Sequence, residues 1–241
     1  MEFSPTISHL RGSHRTLVVM AKAPRLGMVK TRLAKSLPME AVCELYRCLL
    51  DDTLTLAHSM HGVNVAIMCP AADVEELKGL AEDAAVVAQQ GEGLAAALTS
   101  VFASFAVDGR HHVIAFNSDS PHLPASVLAG AFALLTTHDV VVGPTHDGGY
   151  YLVGAKAAHP TLFHRDGMGT AGALDALITR AHSLQLSVGC TDSFYDIDVE
   201  ADLTRLAAEL LLAPARAPRT AAWLEQWGRR LPRLHRATGD L

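Results

Sequence analysis

Short apolar runs rich in β-branched residues alternate along this chain with longer stretches in which apolar residues recur every three or four positions. The first run, Thr16–Met20 (TLVVM), breaks at a loop containing Pro and Gly, Ala21–Val29, as a buried strand followed by a functional loop does. From Met39 to Met60 the stripe Val42, Leu45, Leu49 and Leu56 predicts an amphipathic helix. Strands are then predicted at Val63–Cys69, Ala85–Ala88, His112–Phe116, Asp139–Gly143 and Tyr150–Val153, with helices at Ala72–Glu82, Leu94–Phe105 and Pro124–Thr136. A helix over Gly169–Leu184, a short strand Leu186–Val188 and two charged amphipathic helices, Ala201–Leu212 and Thr220–Arg230, complete the pattern, the last two joined by the linker Ala213–Pro218.

Such alternation predicts an α/β fold, a three-layer α/β/α sandwich on a mostly parallel sheet, with ligands bound beyond the carboxyl ends of the strands. No repeat or low-complexity segment interrupts it, so the expectation is an N-terminal extension over 1–15 and one domain over 16–241. A chain of 241 residues, 49% hydrophobic, is long enough for a sizeable core. Its net charge of -5 carries no basic footprint for a nucleic-acid backbone or an anionic membrane surface, which makes small molecules the expected partners. The longest apolar stretches, such as Leu203–Ala215, are interrupted by charges at helical spacing, and Met1–Arg15 lacks the apolar run of a secretory signal; a cytoplasmic location is expected. Cys43, Cys48, Cys69 and Cys190 form no C-x-x-C pair and read as reduced thiols, while the thirteen histidines are scattered and form no H-E-x-x-H site.

Chemistry concentrates in four loops. The first, Ala21–Leu33, carries Lys22, Arg25, Lys30 and Arg32 with Gly27, although the chain is acidic on balance. Cations that neutralise phosphate, and a glycine that lets backbone amides approach its oxygens, suit a polyphosphate; Lys22, Lys30 and Arg32 are the predicted contacts, without a Walker A pattern. In the second, Phe116–Pro124, Asp119 follows an apolar strand, where bound Mg²⁺ or Mn²⁺ would offset the desolvation of its carboxylate. In the third, Gly143–Tyr151, the pair Gly148–Gly149 permits close approach of a substrate to the backbone, and Asp147-Gly148 is equally a turn signal. The fourth, Tyr195–Leu203, holds more acid than helix capping needs. Asp202 and Glu200 suit the helix N-terminus, and either Asp196 or Asp198 can complete a two-carboxylate metal site with Asp119.

Taken in order, AKAPRLGMVKTRL, NSDSPHLP, GPTHDGGYYLVG, GMGT and DIDVEADL resemble the radical-SAM/selenodomain-associated transferases of bacteria, over roughly Thr16 to Ala208. That family lies in the GT-A-like nucleotide-diphospho-sugar transferase superfamily. The chain is similar, more distantly, to the 2-phospho-L-lactate and molybdenum-cofactor guanylyltransferases. The resemblance implies a Rossmann-like sandwich of the GT-A type, nucleotide bound over the N-terminal half, metal at Asp119 with Asp198 as second acid, and acceptor near Asp147, Gly148 and Gly149. The chain departs from the family at Met168, where an aromatic is common, and at Phe116-Asn117, where the strand often ends in Gly.

The resulting expectation is a transferase that uses Mg²⁺ or Mn²⁺ and a nucleotide donor, moving a glycosyl group from an NDP-sugar to a small acceptor, with Asp119 and Asp147 as catalytic residues. Two alternatives accompany it. In a nucleotidylyltransferase the α-phosphate of an NTP is attacked by a small phosphorylated acceptor, a role that the strongly cationic first loop suits. A non-catalytic nucleotide-binding module would be expected to have lost the acids Asp119, Asp147, Asp196 and Asp198, all present here. His146 and Asp147 both qualify as general base.

Overall fold

The computed structural model describes residues 13–106, 112–164 and 171–228. They form two compact units, each built from separated stretches of chain.

The first unit takes its described residues from Met1–Ala23, Ala57–Asn117 and Ala125–Tyr195 and contains the whole sheet. Its strands are β1 (Arg15–Met20), β2 (Asn64–Cys69), β3 (Ala85–Ala88), β4 (His112–Asn117), β5 (Val140–Pro144), β6 (Tyr150–Ala155) and β7 (Val188–Cys190), in the order β3-β2-β1-β4-β6-β5-β7. All run parallel except β6, which is antiparallel to both its neighbours β4 and β5. The α/β fold with a mostly parallel sheet, expected from the alternation, is what forms. The chain winds from β1 outward to β2 and β3, then returns to the other side of β1 at β4, and open α/β sheets bind ligands beyond the strand ends at such a reversal.

Leu17, Val18 and Val19 are completely buried, which is why β1 reads as an unbroken apolar run. Val18, Ala66, Met68, Val113, Ala115 and Val142 share one core with Leu98, Val101 and Phe102 of α3 (Gly93–Phe105) and Leu177 and Ala181 of α5 (Ala173–Ser183). On the opposite face lies α4 (Ala125–Thr137). Its Leu135 lies with Ile114 close enough to Gly154 to crowd an added Cβ, and its Phe132 ring has the Arg15 guanidinium 5.8 Å from its centre. The unit thus has three layers. The short α2 (Val74–Leu80) follows a 3₁₀ turn at Ala71–Asp73, so the helix predicted over Ala72–Glu82 is split.

One strand is displaced from its expected place: β7 covers Val188–Cys190 instead of Leu186–Val188. The Asp139 carboxylate accepts hydrogen bonds from the Ser187 amide at 2.9 Å and hydroxyl at 2.6 Å. Those bonds also hold the Asp139 carboxyl below its ordinary range, and they fix Ser187 as the connection that sets the pairing of Val140 with Val188.

The second unit takes Pro24–Leu56, Ser118–Pro124 and the described residues of Asp196–Leu241. It contains α1 (Met39–His58) up to Leu56, α6 (Glu200–Leu212) and α7 (Pro218–Gly228). The buried Asp52 on α1 accepts the backbone amides of Arg219 at 3.1 Å and Thr220 at 2.7 Å, satisfying donors that the first turn of α7 leaves open. Arg229 and Arg230, included in the predicted last helix, lie outside the described residues, as does the motif Gly167-Met168-Gly169-Thr170. Among the described residues no helix is long and apolar enough to cross a membrane.

Candidate functional site

The basic loop is divided between the two units. Lys22, exposed two residues after β1, belongs to the first, where the buried Asp73 accepts the Ala23 amide at 3.0 Å. Gly27, Lys30 and Arg32 belong to the second. There Gly27 takes φ +71°, and Val29, Leu33 and Leu37 are buried anchors that hold the loop on its unit. Lys30 also lies in the left-handed region, at φ +46°, while its carbonyl accepts the amides of Leu33 at 2.9 Å and Ala34 at 3.3 Å. A non-glycine residue pays about 1–2 kcal/mol for that backbone, a strain that collects at functional positions.

What the strained backbone achieves is the placement of an ammonium between two acids. Lys30 Nζ lies 2.7 Å from Asp119 Oδ2 and 2.9 Å from Asp198 Oδ1. Its side chain is 5% exposed, against 26% for Asp119 and 43% for Asp198, so the cation is the buried member of the cluster. Burial by itself would lower the Lys30 pKa, but the two carboxylates outweigh it and hold the ammonium above its ordinary range. Arg32, largely exposed, reaches Asp198 Oδ2 at 3.2 Å. Two negative and two positive groups therefore balance one another.

Asp196 accepts the Ser120 hydroxyl at 3.2 Å, while the Ile197 amide bonds the Asp119 carbonyl at 3.2 Å. These two bonds tie the acid-rich turn, and with it Asp198, to the Asp119 loop. Asp202 is a capping residue, accepting the amides of Asp198 at 2.9 Å and Val199 at 2.8 Å at the start of α6. His122, in the same loop as Asp119, is completely buried, and burial pushes its ring down to about 4.

Asp147, Gly148 and Gly149 sit in the first unit, in the connection between the antiparallel β5 and β6. Asp147 Oδ1 accepts the Thr145 hydroxyl at 2.5 Å and the Gly149 amide at 3.2 Å, so this oxygen pins the turn. Gly148 has φ +88°, and a Cβ there would lie 1.9 Å from the Ala171 carbonyl oxygen. The Gly148 carbonyl in turn accepts the Leu174 amide at 3.1 Å in α5. The turn reading of the glycine pair is what forms, and the Ala171 backbone packs against Gly148. Gly148→Ala should lower unfolding stability by about 2–4 kcal/mol. A urea midpoint unchanged from the parent would contradict this account of the turn.

Three residues that the sequence reading did not single out lie around Ser118 and Asp119. Ser118, buried beside it, donates to Asp119 Oδ1 at 3.5 Å, Tyr46 of α1 lies 3.1 Å from the Ser118 hydroxyl, and Thr53 donates to the Ser118 carbonyl at 3.3 Å. Burial raises Cys69 to about 12 and Cys48 to about 11, leaving both protonated at neutral pH.

Comparison with solved structures places this architecture. A crystal structure of a candidate nucleotide-diphospho-sugar transferase from Desulfovibrio desulfuricans G20 superposes with a TM-score of 0.83 at 25% identity, covering 92% of this chain and 98% of that one. The fold is that of the nucleotide-diphospho-sugar and nucleotidyl transferases. A nucleotidyl transferase from Methanothermobacter matches with a TM-score of 0.55 at 17% identity, over 83% of this chain and 99% of its own. The 4-diphosphocytidyl-2C-methyl-D-erythritol synthase of Anaerococcus prevotii gives 0.56 at 11% identity, over 85% and 99%. Residues 53–170 match the model of DUF2064, a family described as uncharacterized proteins conserved in bacteria. That span includes Asp119, Asp147, Gly148 and Gly149 and omits Lys30, Arg32 and Asp198. No curated protein sequence matches the chain.

Proposed function

We propose that the protein is a metal-dependent transferase of the cytoplasm that uses a nucleotide donor, moving a glycosyl group from an NDP-sugar to a small acceptor. The observation that carries this reading is the Lys30 ammonium bonded to both Asp119 and Asp198, a charge set suited to a diphosphate and a divalent cation. The likeness to the Desulfovibrio protein, with which the chain shares a quarter of its residues, supports the choice of donor.

The donor set fits Mg²⁺ or Mn²⁺. Asp119 and Asp198 offer carboxylate oxygens, and such ions are commonly held by one or two carboxylates together with substrate phosphates. When bound, the ion would neutralise charge developing on the diphosphate leaving group. Lys30 engages one oxygen of each acid in this structure, so phosphate oxygens that attract its ammonium release those carboxylates. Metal and nucleotide accordingly bind together. Arg32, largely exposed, is placed to take a second phosphate contact, and Lys22 and Gly27 belong to the same phosphate assignment. The proposal gives acceptor binding to Gly148 and Gly149, with Asp147 holding their turn and acting as the second catalytic residue.

The second reading, nucleotidylyl transfer from an NTP, is favoured by the number of cations in the first loop, Lys22, Arg25, Lys30 and Arg32, since a triphosphate carries more charge to neutralise. A thermal-shift screen of NTPs and NDP-sugars with Mg²⁺ or Mn²⁺ separates the two. A donor at about 100 times its Kd adds roughly 2.7 kcal/mol to apparent stability. The expected result is stabilisation by at least one NDP-sugar that depends on the metal. A shift with triphosphates alone would transfer the assignment to nucleotidylyl transfer, and no shift with any nucleotide would overturn both.

A further inference from the structure

α1 carries an apolar stripe, Val42, Leu45, Leu49 and Leu50, all buried, and Tyr46 is buried among these positions at 4% exposure. A phenylalanine would occupy the same volume. A phenol buried there carries a hydroxyl that must be hydrogen-bonded to avoid a desolvation cost, and it lies 3.1 Å from Ser118 Oγ. Either oxygen of the Tyr46–Ser118 pair can supply its hydrogen; where Ser118 directs its one hydroxyl hydrogen to Asp119 Oδ1 at 3.5 Å, the phenol supplies it. In that arrangement donation runs from Tyr46 to Ser118 to Asp119. Thr53, also on α1 and completely buried, donates to the Ser118 carbonyl at 3.3 Å, so one helix grips Ser118 by side chain and backbone alike. Asp119 Oδ2, on the other side of the carboxylate, is the oxygen that meets Lys30.

We propose that Tyr46 is a positioning residue that acts through Ser118 to fix the rotation of the Asp119 carboxylate, so that Oδ2 faces Lys30 and the incoming cation. This rests on the assignment of Asp119 to the metal made above. Hydrogen bonds behind a ligating carboxylate orient it and tune its affinity, and loss of such a partner commonly weakens metal binding by about 10–100-fold.

The test is Mn²⁺ binding in the presence of inorganic pyrophosphate, followed by electron paramagnetic resonance on the parent protein, Tyr46→Phe, Ser118→Ala and the double variant, with a thermal melt of each. Tyr46→Phe and Ser118→Ala should each raise the Mn²⁺ Kd about 10-fold with the melt of Tyr46→Phe close to the parent, and the double variant should be no worse than Ser118→Ala alone. A role in packing alone would lower the melting temperature and leave the Kd in place. Parent-like Mn²⁺ binding by Tyr46→Phe overturns the inference, and so do effects that multiply in the double variant, because Tyr46 then does not act through Ser118. If the parent protein binds no Mn²⁺ with pyrophosphate, the metal assignment of Asp119 itself fails, a result distinct from binding that Tyr46 does not influence.

Discussion

Lys30→Met should lower turnover by about two to three orders of magnitude, the loss that follows removal of one preorganised charge partner from a developing anion. The same change should have an opposite effect on the metal. Without the ammonium, Asp119 and Asp198 lose the buried cation bonded to both, and Arg32, bonded to Asp198 alone and largely exposed, cannot replace it. Two carboxylates brought to one cation and then deprived of it favour another cation or a proton. Mn²⁺ without nucleotide should therefore bind the variant more tightly than the parent, whose ammonium already engages both acids. Turnover within tenfold of the parent, or Mn²⁺ affinity that does not rise, would show that Lys30 is not the counter-ion exchanged for phosphate and metal.

The second large effect concerns stability toward acid. His122 is completely buried, and its ring is pushed from 6.5 down to about 4, first by burial and further by Arg205 and Arg216, with Glu209 opposing. The native state keeps this imidazole neutral where the unfolded chain already protonates it. Between pH 6.5 and 4 the unfolded state binds more protons, so stability falls as the pH drops through that window and loses about 3 kcal/mol by pH 4 from this group. Above pH 7 both states are neutral there and the contribution is level. Urea titrations of the parent and His122→Asn at pH 7.5 and pH 4 should show a shallower acid loss in the variant. Equal losses in both would assign the acid sensitivity to other groups.

The fold was legible because its signals are local and redundant. Val18 and Val19 are buried on both faces, so β1 appears as an uninterrupted apolar run, and the stripe of α1 keeps helical spacing for about four turns. β7 was misplaced because its start depends on Asp139, whose carboxylate bonds Ser187 from 48 positions away. The charged residues of the cluster drew notice for a related reason: Asp119 stands just after a buried strand, where isolated charge needs an explanation, and Lys30 lies in a cationic loop of an acidic chain. That Asp196 meets the Ser120 hydroxyl and Asp198 the Lys30 ammonium could not be read from spacing, because no local rule connects these partners. Tyr46 left no trace as a functional residue. An aromatic on an apolar helical stripe reads as core, and only the position of its hydroxyl, 72 residues along from Ser118, gives it another meaning.

The unit that brings Lys30, Asp119 and Asp198 together is assembled from three stretches of chain, and the Lys30–Asp198 pair spans 168 positions. During synthesis at about 5–20 residues per second, the basic loop therefore emerges roughly 10–30 s before its second acid exists. Throughout that interval Lys30 has no Asp198 to meet, and the left-handed backbone at this residue has no complete charge cluster to hold it. The site is among the last features of the molecule that can form on the ribosome, and a chain truncated before Asp196 would retain every strand of the sheet while lacking the second acid of the cluster.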